Sequence, residues 1–169
     1  MQRLNLNLPK KREVVLPASV LKRFASYILD FLILNVILYP INNSINKIIP
    51  SEKGFEGVYS YIQSNPLFTK MLLFYSMIVG AIIVLYFTYF EFKTNQTPGK
   101  MLMNLHIIPD GKKQLGFFDY LLSNLTFIPT FPFVILWILD PLWIIFSKNN
   151  QRFMEKISHI KVVERHEVY

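Results

Sequence analysis

The chain contains no cysteine. This excludes a disulfide framework, thiolate zinc sites, iron–sulfur clusters and a cysteine nucleophile, and it leaves the compartment unreadable from redox chemistry. Charge is scarce as well: 17% of the 169 residues are Asp, Glu, Lys or Arg, against roughly 25% in ordinary soluble domains. With 52% hydrophobic residues and a mean hydropathy of +0.32, that scarcity excludes a disordered tail and points to a membrane protein. Fifteen Phe, nine Tyr and two Trp are more aromatic bulk than one small soluble core readily buries. Also missing are H-E-x-x-H, a Ser/His/Asp arrangement, a dinucleotide fingerprint and the upstream glycine of a phosphate-binding loop. His106, His159 and His166 do not cluster at ligand spacing. No enzymatic activity, metal or cofactor is therefore expected.

Three long stretches are nearly free of charge. Between Arg23 and Lys47 the one charge is Asp30, and Pro40 reads as a stop signal for the span. Between Lys70 and Glu91 lie twenty uncharged residues, the length that crosses a ~30 Å hydrocarbon core. Between Asp119 and Lys148 the one charge is Asp140, but Pro129 and Pro132 interrupt the run. One tilted helix or a hairpin of two shorter helices both fit that stretch. Lys and Arg near span ends sort to the cytoplasm, and a hairpin places fifteen inside and three outside, whereas a single third span leaves ten against eight. The expectation is an all-α membrane protein with four membrane-embedded helices, at about 21–41, 69–92, 117–129 and 131–147. Both termini are cytoplasmic, and the third helix is short enough to be re-entrant or interfacial.

The basic segment 1–19 lacks a small-residue cleavage site after an apolar core and reads as a cytoplasmic tail beside anionic lipid headgroups, with no need for nucleic acid. Residues 20–163 read as the transmembrane domain, 164–169 as a C-terminal tail, and 42–69 as an external loop. Asn42 and Asn124 each begin a glycosylation-type triplet, a pattern frequent by chance. In Met101–Ile108 and in His159–Glu164 apolar residues alternate with polar ones, so 102–108 and 159–164 are expected to pair as a small cytoplasmic sheet. Asp110-Gly111 offers a hairpin turn, and a cysteine pair at Leu105 and Val162, or at their neighbours in another register, is expected to cross-link the two segments.

Arg23, Asp30 seven residues later, the stretch Asn95–Ile108 (NQTPGKMLMNLHII) and Lys148–Val163 (KNNQRFMEKISHIKVV) together resemble the RDD family of small multi-pass membrane proteins. The likeness spans roughly residues 20–163. It implies Arg23 and Asp30 as signature positions, with Asp140 the best match to a further acid. It also implies a cytoplasmic loop motif of Gln96, Thr97, Pro98, Gly99 and Lys100, and a C-terminal motif of Arg152 and Glu155. Family members commonly carry aspartate where this chain has Glu155, and often arginine near Ser123. Transport of ions or solutes, including sodium/proton exchange, is what the resemblance suggests as an activity.

The residues themselves allow two readings. An ionised carboxylate in a span costs at least ~2.5 kcal/mol on insertion scales, so it needs a partner or a purpose. Arg23 and Asp30 are nearly two helical turns apart and share a face, about 10 Å apart along the axis. Asp140, eight residues from Lys148, lies at a similar depth if the last stretch is a hairpin. Pro141 after it frees the carbonyl of Trp137, a place suited to a cation or proton. Arg23, Asp30 and Asp140 are thus expected to form a polar intramembrane site working in a homo-oligomer or with a partner membrane protein. The alternative is a non-transporting scaffold or lipid-interaction protein whose ion pairs only register the helices. Thr97 to Lys100 reads as a cap or turn, or as an anion contact through Lys100. Lys100 is also expected near Glu155.

Overall fold

The computed structural model describes residues 12–47, 54–111, 114–130 and 133–168. Pro132, most of the expected basic tail and the far end of the expected hairpin turn lie outside them. The element order is β1 (Arg12–Pro17), α1 (Val20–Asn46), α2 (Gly54–Ser64), α3 (Pro66–Thr94), α4 (Pro98–Leu102), β2 (Leu105–Pro109), α5 (Phe117–Asn124), α6 (Leu136–Phe146), α7 (Phe153–Ile157) and β3 (Ile160–Val168).

Two helices dominate. With 27 and 29 residues, α1 and α3 are about 40 Å long, and both are apolar enough to cross a membrane. In each, 22% of the most apolar window is buried within the chain. Much of the remainder, including Leu21, Val36, Leu67 and Phe74, is exposed apolar surface, which a soluble core helix would cover. Helix α3 starts where Asn65 accepts from the amide of Phe68 and Pro66 takes the first position, and it ends where Asn95 turns left-handed (φ 55°). Helix α1 runs past Pro40, contrary to the expected stop. Proline is tolerated inside apolar helices, and beyond it Asn42 is held to α3 by the hydroxyl of Tyr75. The expected external loop 42–69 is therefore largely helical. It contains α2, which packs on the start of α3 through Tyr61 and Phe68 and through the Thr69 hydroxyl donating to the Ile62 carbonyl.

The third apolar stretch is broken, as its prolines suggest. Helix α5 passes into a short 3-10 turn over Leu125–Phe127, and the chain returns through a second such turn (Phe133–Ile135) into α6. Phe117 packs on Phe92, Phe127 stacks on Phe87, and Pro129 meets Gly80. The rising limb thus runs antiparallel to α3 and turns back half way along it. Gly80 permits this approach: a Cβ there would stand 2.5 Å from Pro129 Cδ. Residues 133–146 form the longest helical piece in this hairpin, about 21 Å at the helical rise, which is less than a full crossing.

At the end of α1 and α3 remote from α2 lies an antiparallel three-stranded sheet of order β1-β3-β2. Leu105, Ile107, Ile160 and Val162 point into a small core with Ala18 and Tyr120. The sheet departs from expectation in four ways. Strand β1 forms from residues assigned to a tail, because Val14 to Leu16 pair with Glu164 to His166. Strand β3 continues to Val168, through the rest of the expected tail. Strand β2 begins at Leu105 rather than residue 102, since Pro98 starts a helix that absorbs Met101 and Leu102. Finally, Asp110-Gly111 does not close a hairpin among the described residues; β2 pairs with β3, with Leu105 opposite Glu164 and Ile107 opposite Val162.

That register predicts a cross-linking result. Ile107→Cys with Val162→Cys should form a disulfide under mild oxidation. Leu105→Cys with Val162→Cys, two residues out of register, exceeds the ~7 Å Cα limit and should not. Mobility on a non-reducing gel distinguishes the two.

Candidate functional site

Between the sheet and the two long helices the chain buries charge. Asp30, Glu91, Asp140 and Glu155 are buried carboxylates, and Arg23, Lys100 and Arg152 are buried cations, each at most 5% exposed. Glu155 is the centre of one group. Its Oε1 accepts from Nη2 of Arg23 and, at 2.8 Å, from Nε of Arg152, and its Oε2 accepts from the Arg152 amide at 3.0 Å. Arg152 in turn reaches Asp140 at 3.4 Å, and Asp140 also accepts from the Met154 amide (2.8 Å) and the Thr126 hydroxyl (3.1 Å). Arg23 further donates to the carbonyl of Asn150. The first turn of α1, helix α7 and helix α6 are thereby tied through one run of alternating charges.

A second group forms at the end of α3. Lys100 Nζ donates to Glu91 Oε1, and Asn124 Nδ2 donates to Glu91 Oε2 at 2.7 Å. The Tyr27 ring stands between the two groups, 5.7 Å from Lys100 Nζ and 5.3 Å from the Arg152 guanidinium carbon. It supplies a π face to each cation and holds like charges apart.

Asp30 belongs to neither group. Its carboxylate accepts from the Thr97 hydroxyl (2.5 Å), the Gly99 amide (2.8 Å) and the Tyr86 hydroxyl (3.1 Å). All three donors are neutral, and no cation pairs with it among the described residues. Thr97 meanwhile caps α4 by accepting from the Lys100 amide at 3.3 Å. Glycine is required at 99 because α4 lies directly on α1. A Cβ there would stand 2.2 Å from the Ser26 carbonyl oxygen and 2.8 Å from the Asp30 carboxyl.

The residues expected to make the site are all buried, but their partners differ from expectation. Arg23 pairs with Glu155 rather than Asp30, because α1 tilts the guanidinium toward the C-terminal segment while Asp30 meets the 97–99 turn. Asp140 is joined to Arg23 only through Glu155 and Arg152. Lys100 pairs with Glu91, not Glu155. Gln96 donates from Nε2 to the Leu105 carbonyl at 2.8 Å, fastening the loop to β2. Sequence reasoning missed Glu91, Tyr27, Asn124 and Thr126. Glu91 reads in the sequence as a span boundary, and Asn124 and Thr126 as a chance glycosylation triplet. The available signal was that Tyr27 follows Arg23 by one helical turn, and that Asn124 and Thr126 are polar in an otherwise apolar run.

Burial alone would raise Glu155, but Arg23 and then Arg152 override it and hold its carboxyl at about 2, down from 4.5. Burial would likewise lower the Lys100 ammonium; Glu91 reverses this and leaves it above its ordinary value. Among the described residues no group of three or more His, Cys, Asp or Glu side chains is placed to hold a metal. The family model described as the RDD family matches residues 17–159, a stretch that contains every charged residue of this network. No curated protein and no solved structure matches the chain.

Two outcomes follow. Gly99→Ala must push α4 off α1 and should destabilise the protein by roughly 1–3 kcal/mol, read as a lowered melting temperature in detergent. Because the Glu155 carboxyl is depressed on folding, its contribution is complete above about pH 4.5 and lost as pH falls toward 2. Melting temperature should fall across that window in the wild type. In Glu155→Gln the protein should start lower and lack this share of the decline.

Proposed function

The chain belongs to the RDD family, as the match over most of its length establishes, and from that premise we propose that it is a non-enzymatic, multi-pass transport protein of the cell membrane. Helices α1 and α3 cross the bilayer. The α5–α6 hairpin enters from the cytoplasmic side to about mid-depth and returns, giving four embedded helices with both termini cytoplasmic. The fifteen-to-three charge split supports this orientation, and the turn of the hairpin against Gly80, midway along α3, supports the depth.

The cargo is an ion or small solute, coupled to a cation or proton. One observation carries this reading: among the described residues, the four carboxylates buried between the sheet and the long helices face three buried cations, and the one without a cation is Asp30, inside the apolar helix α1. An isolated buried carboxylate is stable with neutral donors, a proton or a bound cation, and changing between those states is what a coupled carrier needs. Two crossing helices and a half-hairpin enclose little, so the working unit is a homo-oligomer or a complex with another membrane protein, surrounded by anionic headgroups at the basic face.

A second reading has its own support. Among the described residues every buried cation has a carboxylate partner, so the network also suits a clamp in a scaffold or lipid-interaction protein. Liposomes containing the purified protein and a trapped pH indicator separate the two. Under an imposed sodium or potassium gradient, transport gives proton flux above that of empty liposomes, and Asp30→Asn should reduce it at least tenfold while the protein stays folded. Folded wild type with no flux above background leaves the clamp.

A further inference from the structure

Helix α1 has two unlike faces. Arg23, Ser26, Asp30, Leu34 and Leu38 are buried against the rest of the chain. On the side turned away from them, Ile28, Leu32, Asn35, Tyr39 and Asn42 follow one another at intervals of four, three, four and three residues, the spacing that keeps one stripe of a helix facing a neighbouring helix. The first four are exposed, and Asn42 is partly so. A groove of about 370 Å³ lies along this stripe, lined by Asn35, Val36, Tyr39 and Asn42. All four belong to α1, so no other element closes it among the described residues.

Asn35 is the unexpected member of the stripe. It lies about 3 Å past the midpoint of α1, and the bonds from Tyr86 to Asp30 and from Tyr75 to Asn42 put it nearly level with Gly80, the middle of α3. Neither headgroups nor bulk water reach that depth. Its Nδ2 donates to the Phe31 carbonyl one turn back, at 2.8 Å. The amide oxygen and the second N–H have no partner among the described residues, a costly state in hydrocarbon.

We propose that two copies of the chain associate in parallel along this stripe of α1, with the Asn35 amides bonded to each other across the two-fold axis. This rests on α1 crossing the bilayer and not on transport, and it gives the homo-oligomer proposed above its contact face. Three considerations specify the occupant. An acyl chain covers Ile28 and Leu32 but offers nothing to an amide. Water at mid-depth needs a cavity enclosed by protein, and this groove is open sideways. Another membrane protein would need its own polar group at this depth, whereas a parallel second copy brings the same amide to the same level, and each carboxamide both donates and accepts. One such residue in a heptad-spaced seam fixes register and the number of partners.

The absence of cysteine makes the test clean. The purified full chain, carrying one introduced cysteine, is reconstituted in liposomes and oxidised mildly. Leu32→Cys and Tyr39→Cys should each give a disulfide-linked dimer on a non-reducing gel. Ile37→Cys, exposed as well but about 200° round the helix from Asn35, should not. Energy transfer between chains labelled at Ser60→Cys, an exposed position of α2, reads the dimer fraction as lipid is added. Asn35→Leu should weaken association roughly three- to tenfold, the worth of an interhelical amide contact, and Asn35→Gln should restore most of it.

Cross-linking no greater at Leu32→Cys and Tyr39→Cys than at Ile37→Cys, or association unchanged in Asn35→Leu, overturns the proposal. A chain that stays monomeric in liposomes does so too, leaving lipid or a different protein on the stripe. So does modification of Asn35→Cys by a membrane-impermeant thiosulfonate, which would make the groove aqueous. If Ile37→Cys is modified as readily, α1 does not cross the bilayer and the premise fails with the interface. Proton flux is scored separately, so transport and the interface can each fail while the other stands.

Discussion

The Glu155 carboxylate, held between the guanidinium groups of Arg23 and Arg152, is the contact on which the arrangement of the chain depends. Residues 132 positions apart meet there, one in the first turn of α1 and the other in the short helix leading to the last strand. Removing the carboxylate alone would leave two buried guanidinium groups facing each other, and breaking a buried pair in this way costs about 3–5 kcal/mol. Glutamate at this position both caps α7, through the Arg152 amide, and reaches Arg23, whereas an aspartate is one methylene shorter and would have to draw α1 closer to do the same.

The network joins ends of the chain that the membrane would otherwise leave independent. Glu164 of β3 accepts from the Ser19 amide at 2.9 Å and from Lys22, giving the start of α1 the acceptor that its own Ser19 side chain does not supply. Gln151 donates both to Asp110 and to the Ile160 carbonyl. Sheet, loop and helix starts are therefore cross-braced on one face of the molecule. The opposite ends of α1 and α3 are joined much more lightly, through the Tyr75 hydroxyl on Asn42. Lacking that bracing, the α2 end is where relative movement of α1 and α3 costs least.

What could be read from sequence was set by how local the cause is. The span in α3, the break at the prolines and the alternating strands each follow from a short window of residues, and each is present, with α3 and the strand ends shifted by a few positions. Arg23, Asp30 and Asp140 are all buried, as charges inside or beside apolar runs have reason to be. Their pairing was not legible, because helical spacing states which residues share a face of α1 but not which element covers that face. Strand β1 was hidden for a related reason. Only three apolar residues, Val14 to Leu16, mark it, and a stretch that short acquires strand structure from its partner β3, whose own length was not visible.

The separation of Asp30 from the ion-paired groups has a mechanical side. Its carboxylate is the contact that seats the 97–99 turn on α1, and the next residue, Lys100, holds Glu91 at the end of α3. On the proposed reading, a proton or cation arriving at Asp30 would compete with the Thr97 hydroxyl, the Gly99 amide and the Tyr86 hydroxyl for the same oxygens. Gly99 packs directly on α1 at this point, so weakening those bonds would act on the seating of α4 itself. Lys100 would shift with it, and Glu91 would keep only Asn124 as a donor. On the proposed reading, the occupancy of one carboxylate in α1 would thereby be linked, through five residues of α4, to the charge balance at the end of α3. Tyr86 also joins Asp30 directly to α3, so on the proposed reading an ion at Asp30 would be felt by α3 both directly and through α4, without passing through the Arg23–Glu155–Arg152 brace that fixes the rest of the face.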